Sequence, residues 1–271
     1  MSTTKRLISG TAASWFRIII TMIAQLILVP IYLSYWNTST YGLWLAVQAF
    51  LSILVTIDHG HQNFLEFEFL KISKENNKQI SIVLWSGVLI GILLGLLVVI
   101  VTICFIIFGF LPFFIGNGNE TITVGLLREA GYVLIILSIV NLLTASAGGI
   151  YVRALSPFGY YSRMSWWGVW ATILTTFAPV IAVINGASFL TTGIVLSVAT
   201  IVYNIPMLFD IFSLFKRENI VYEKISLSLG WKNFVLSLIL SFKELLENLR
   251  QQGVRVVLIP VLGAAGLTAF S

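Results

Sequence analysis

Arg17 stands inside an apolar run that continues to Leu33. A guanidinium is costly in lipid and must face protein, water or an anionic ligand. Turned inward, it would grip phosphate or acid oxygens through charge-assisted bonds. Turned along the helix, it would snorkel to headgroups, since it lies only about one to two turns from the helix start. Both readings stand. A second set, Lys243, Glu247, Gln251 and Arg255, recurs every four residues with Arg250 beside it. That spacing makes one polar stripe on a helix, either the wall of a cavity or the wet face of an amphipathic helix with Lys243–Glu247 as an ordinary pair. Asp58 and His59 could titrate and couple a reaction to protons. The favoured reading makes Asp58 a turn or cap residue, with Gly60 supplying the turn. Gly87, Gly91 and Gly95 form a small-residue stripe that predicts close helix packing. Asp210, Arg128 and Glu129 are expected at membrane interfaces.

The rest of the composition is poor in chemistry. Of 271 residues, 58% are hydrophobic and only 10% charged, with a mean hydropathy of +0.97. A soluble domain is about a quarter charged. This is a polytopic helical membrane protein, and continuous apolar runs rather than alternation exclude a transmembrane β-barrel. One cysteine, Cys104, and two neighbouring histidines give no disulfide and no metal-ligand spacing. No metal, cofactor or catalytic group is expected, and the net charge of +5 suits inner loops rather than nucleic acid.

Apolar runs predict membrane helices at 11–33, 41–57, 81–110, 130–152, 164–184 and 189–212, with a seventh from about 238 to 262. The uncharged turn between the first two, rich in Trp and Tyr, suits an interface; Pro30 opens this corner, and Pro112 is expected to end the third run. Pro179 and Pro206 should sit near helix ends. The basic residues of the connections fall on one side: Lys5, Arg6, Lys71, Lys74, Lys78, Arg153, Arg163, Lys216, Arg217, Lys224 and Lys232, against Arg128 alone on the other. That places the N-terminus inside. The inner stretches 58–79 and 213–232 mix charge with apolar residues and suggest helices lying on the inner leaflet.

Val29-Pro30-Ile31 is echoed by Ile259-Pro260-Val261, six helices later and entering from the same side, as a parallel repeat requires. The expected organisation is a six-helix lobe over 1–215, an inner connection over 216–237, and the first helix and outer corner of a second lobe over 238–271, in a chain that reads as roughly the first half of a transporter. Helices one and seven would then meet at a central cleft walled by Arg17 and Arg255.

Arg17, Val29-Pro30-Ile31-Tyr32-Leu33, Tyr41-Gly42-Leu43-Trp44, Ile57-Asp58-x-Gly60-x-x-Asn63 and, later, Asn248-Leu249-Arg250-x-x-Gly253-Val254-Arg255 with Pro260 and Ala269-Phe270-Ser271 resemble the polysaccharide transporter family, the O-antigen and lipid-linked oligosaccharide flippases. The resemblance implies an all-α multidrug and toxin extrusion-like fold of two six-helix bundles. It implies transfer of an undecaprenyl-diphosphate-linked oligosaccharide from the inner to the outer leaflet of a bacterial plasma membrane, alongside a polymerase and a chain-length regulator. A small-molecule antiporter of the same fold and an integral-membrane glycan-processing enzyme are the competing functions. The loops are short for the enzyme.

Overall fold

The computed structural model describes residues 3–72, 74–115 and 122–268, with the backbone alone for Thr3, Arg6, Leu7, 113–115 and 251–268. Among the described residues nine α-helices follow one another: α1 Thr3–Tyr35, α2 Thr38–Leu54, α3 Thr56–Lys71, α4 Asn77–Ile107, α5 Phe110–Ile115, α6 Val124–Ala154, α7 Tyr161–Ile184, α8 Phe189–Arg217 and α9 Leu227–Thr268. A single 3₁₀ turn, Ser156–Phe158, links α6 to α7. No strand occurs among the described residues. Five helices have the length and hydropathy of membrane spans, and α2 with α3 makes a sixth if that bent pair is one span. The chain has the architecture of an all-α, multi-pass membrane protein.

Helix ends are set by caps. At one end of the molecule the side chains of Asn37, Thr123 and Ser188 accept from the backbone N–H of Thr40, Leu126 and Thr191, satisfying donors that open a helix. Glu129 accepts from Leu190 N–H at 2.9 Å, a carboxylate at the positive end of α8. Gly186, at φ 80°, makes the tight turn between α7 and α8.

Several expectations are corrected. α1 starts earlier than expected and runs past Pro30 to Tyr35, two residues beyond the expected end. The third run stops at Ile107 because Gly109 takes φ 70°; Pro112 lies beyond it in α5. Pro179 and Pro206 are inside α7 and α8. Residues 56–71 are not an inner-leaflet helix. They form α3, bent by 45° from α2, with Leu65 and Phe69 fully buried. At the bend Thr56 donates its hydroxyl back to Ser52 O at 3.0 Å, and Val55 N–H bonds both Leu51 O and Ile53 O. Residues 218–226 are not an amphipathic helix either. This segment is pinned along α4 by Asn77 Nδ2 to Glu218 O, Trp85 Nε1 to Val221 O and Ser226 N to Ser86 Oγ, and α9 starts eleven residues before its expected position.

The helices pack around two apolar clusters. One, with Trp44, Leu134, Val183 and Phe189, occupies the capped end. The other, with Leu65, Phe69, Leu84, Ile150 and Ile211, occupies the opposite end. Between them the contacts are made by small and polar residues, as expected where lipid removes the hydrophobic drive between helices. The stripe Gly87, Gly91, Gly95 packs as expected: a Cβ on Gly87 would stand 2.4 Å from Leu65 of α3, and one on Gly91 2.7 Å from Ser146 O of α6.

α9 packs on α2, α3 and α4, whereas α1 packs on α7. The expected contact between the first helix and the seventh is therefore replaced by two separate interfaces. Gly60 is not a turn residue; it lies within α3, where a Cβ would meet Ser241 Cα of α9 at 2.4 Å and its N at 2.6 Å. Because that obstacle is backbone, Gly60→Ala must push α3 and α9 apart. The expected cost is about 1–3 kcal/mol of overpacking, read as a lower melting temperature in detergent by circular dichroism. An unchanged melting point would mean that the two helices are not held this close.

Candidate functional site

The site grows from α1 and α7. Ser9 accepts from Trp166 Nε1 at 3.1 Å, Gly10 lies against Tyr161, and Arg17 crosses α7 at Gly168, whose missing Cβ would stand 3.4 Å from Arg17 Nη1. Helical spacing places Ser14, Arg17, Thr21, Gln25, Leu28 and Tyr32 on one face of α1. It places Tyr161, Ser165, Gly168, Thr172, Thr175, Thr176 and Pro179 on one face of α7. The hydroxyls of Ser14, Thr21, Ser165, Thr172 and Thr175 each donate to the carbonyl four residues back. Their donors are used locally while oxygen lone pairs stay available. A polar seam thus runs along two otherwise apolar helices.

A cavity opens toward each end of this seam. The one nearer the N-terminal end of α1, termed inner after the orientation expected from the charge pattern, is about 290 Å³ and is lined by Ser14 and Arg17 of α1, Glu66 of α3, Arg153 of α6, Ser156, and Tyr161 and Ser165 of α7. The outer one, about 580 Å³, lies among α1, α2, α7 and α8 and includes Gln25, Tyr32, Trp44, Gln48, Thr175 and Thr176.

Arg153 fixes the inner cavity's wall. Its Nε and Nη2 donate to Asn63 Oδ1 at 3.2 and 2.6 Å, and Nη1 donates to Gln62 Oε1 at 2.9 Å and Gly149 O at 3.0 Å. Glu66 stands 3.8 Å from Nε and accepts from Ser156 Oγ at 2.8 Å. The same network reaches α9, since Asn63 Nδ2 donates to Glu244 at 3.2 Å. Gly149 is required here: a Cβ would land 2.0 Å from Gln62 Oε1.

No family model, curated protein or solved structure matches the chain. The chemistry of the seam has to carry the functional argument by itself.

Of the residues singled out from the sequence, Arg17 is at the seam, is exposed and lines the inner cavity. Asp58 is in the first turn of α3 without capping it. It is 1% exposed, and neither carboxylate oxygen has a hydrogen-bond partner among the described residues. It borders a small apolar cavity of about 80 Å³ with Leu54, Ile57 and Leu94. His59, its neighbour, faces outward. Lys243 and Arg250 are exposed, and Arg250 forks onto Glu247 three residues earlier. This is a pairing within one helix, on an exposed face. The side chains of Gln251 and Arg255 lie outside the described residues. Asp210 holds Arg163 and accepts from Trp167 Nε1 at 2.8 Å, tying α8 to α7.

Sequence reasoning missed Arg153, Gln62, Asn63 and the buried face of α9. That face carries Asn233, Ser237 and Ser241, all under 5% exposed, then Glu244 and Asn248, the last donating to Thr56 Oγ1 at 2.7 Å. The signal was present as small and amide residues every three or four positions.

Arg153→Lys keeps the charge but cannot serve Asn63, Gln62 and Gly149 O together. The buried acceptors left over should cost about 1–3 kcal/mol, seen as reduced thermal stability of the detergent-solubilised chain. Stability equal to the parent would show that the guanidinium network does not hold α3 on α6.

Proposed function

We propose that this chain serves as a flippase that carries an undecaprenyl-diphosphate-linked oligosaccharide, an O-antigen or similar surface polysaccharide unit, from the inner to the outer leaflet of a bacterial plasma membrane. In this reading the N-terminus is cytoplasmic, the helices form a lobe of a multidrug and toxin extrusion-like fold with a parallel repeat, and the protein is a transporter rather than an enzyme. The polymerase and chain-length regulator of polysaccharide assembly are its proposed partners.

The observation that carries this reading is the seam between α1 and α7 with its two unlike cavities. Arg17 makes no ion pair among the described residues, and the inner cavity also holds Arg153. A diphosphate leaving water needs compensating charge, because desolvating it alone is prohibitive. Two guanidiniums with one carboxylate, Glu66, in a wet cavity supply that charge without the tight enclosure that would trap the substrate. The seam continues this polarity toward the other leaflet. The charge pattern supports the orientation, since Lys71, Arg153, Lys216 and Arg217 lie in the last turns of α3, α6 and α8 and Arg163 in the first turn of α7, all toward the same end of the bundle.

A small-molecule antiporter of the same fold is the second reading. It is favoured by Asp58, a buried carboxylate with no ion pair among the described residues, which a transported cation could neutralise.

The test is an Arg17→Ala allele in the native host. Loss of one charge-assisted contact of about 1.5–3 kcal/mol should lower surface glycan about ten-fold or more, with unchanged abundance in the membrane fraction. Arg17→Lys should be intermediate because it keeps charge and loses the planar fork. Normal surface glycan in Arg17→Ala, with defective cation-coupled drug efflux in Asp58→Asn, would transfer the assignment to the antiporter.

A further inference from the structure

The outer cavity differs in chemistry from the inner one. Its 580 Å³ falls within the range of roughly 300–1,000 Å³ typical of small-ligand sites. No charged side chain lines it. Its polar groups are the two primary amides of Gln25 and Gln48, the Thr175 and Thr176 hydroxyls and the phenols of Tyr32 and Tyr41. Gln48 Nε2 is buried without a hydrogen-bond partner. Gln25 and Thr176 make no hydrogen bond to the chain among the described residues. An amide held at membrane depth without a partner is costly unless something else satisfies it.

The aromatic wall is rigid. Tyr32 and Tyr41 stack at 5.1 Å. Trp44 is held edge-on by Phe189 at 5.6 Å and by Trp36 at 5.9 Å. Flat rings beside amides and hydroxyls suit a ligand with an apolar face and a rim of groups that both donate and accept. A lipid tail would leave the amides unsatisfied, and a phosphate would find no counter-charge.

We propose that this cavity is a glycosyl-binding subsite for an uncharged pyranose of the transported glycan. The sugar's hydroxyls bond to Gln25, Gln48 and Thr176, and its C–H face packs on the Tyr32 and Trp44 rings. The proposal rests on the glycan-transport reading and deepens it by dividing the substrate between two cavities. Arg17 and Gln25 are eight residues apart on α1, about 12 Å along the axis. The diphosphate would therefore sit at Arg17 while a sugar further along the headgroup occupies the outer cavity. Charge would be handled only at the inner cavity, so the outer one would discriminate on hydroxyl pattern and shape.

The experiment uses the chain in lipid nanodiscs with two soluble probes, inorganic pyrophosphate and a panel of neutral disaccharides (cellobiose, maltose and di-N-acetylchitobiose). Saturation-transfer NMR reads sugar contact, and ³¹P line broadening reads pyrophosphate. At least one disaccharide should receive saturation from the parent chain. Gln25→Leu and Gln48→Leu should weaken its binding about ten-fold each, while leaving pyrophosphate broadening unchanged. Thr176→Val, nearly isosteric and safe for folding, should weaken the sugar alone. Absence of saturation transfer to every sugar overturns the proposal, as does equal binding by the parent, Gln48→Leu and Thr176→Val. Sugar binding that depends on Gln25 and Gln48, with pyrophosphate indifferent to Arg17→Ala, would keep the subsite and overturn the diphosphate half of the transport reading.

Discussion

A guanidinium has five N–H donors, and in a low-dielectric interior each one left unbonded is costly. Arg153 places four hydrogen bonds on Asn63, Gln62 and Gly149 O, and that requirement organises the inner half of the molecule. It demands that α3 fold back against α6. Gly149 leaves room for the Gln62 amide in this contact, since a Cβ there would displace it. Asn63, used on one side by Arg153, extends the network to Glu244 and so seats α9. The inner cavity lies beside this hub, and Arg153 is part of its lining.

The contrast between ends and middle follows from the same physics. The two apolar clusters close the bundle near its ends, while the middle is joined by glycines, serines and amides. Lipid tails are as apolar as leucine, so close backbone approach and hydrogen bonds must do there what water exclusion does in soluble cores. α1 is the exception. It turns Trp15, Ile19, Ile23 and Leu26 outward and keeps to α7 through Ser9, Gly10 and Arg17. Its polar face thus opens into the two cavities instead of being consumed by packing.

The long apolar runs made most helices legible in the sequence, since hydropathy measures the property that puts a helix in a membrane. α3 was not legible. Its glutamates and Lys71 suggested a wet surface helix, but the side turned into the bundle is Asp58, His61, Gln62, Leu65 and Phe69, mostly polar residues that hydropathy scores as exposed. α9 misled in the opposite way. Lys243, Glu247 and Arg250 drew attention by their charge, while the packed face uses Asn233, Ser237 and Ser241, whose value lies in small size. Pro112 was taken as a breaker. Within α1 the ladder tolerates Pro30, and Ser34 Oγ caps its carbonyl at 2.8 Å, whereas Gly109 supplies the real break through its positive φ. Arg17 lines a cavity, one of the two readings its sequence position left open, but its neighbours there, Arg153 and Glu66, come from helices whose packing no single stretch of sequence reveals.

The proposed transport depends on the face of α1 shared with α7 being a hydrated track. Substituted-cysteine accessibility in intact membranes tests it most directly, in a Cys104→Ser background because Cys104 is exposed. Cysteines introduced at Ser14, Arg17, Thr21 and Gln25 should react with a hydrophilic thiol reagent. Those introduced at Ile19, Ile23 and Leu26, on the opposite side of the same helix, should be protected by lipid. Equal reactivity of the two faces, or silence at Thr21 and Gln25, would contradict the account.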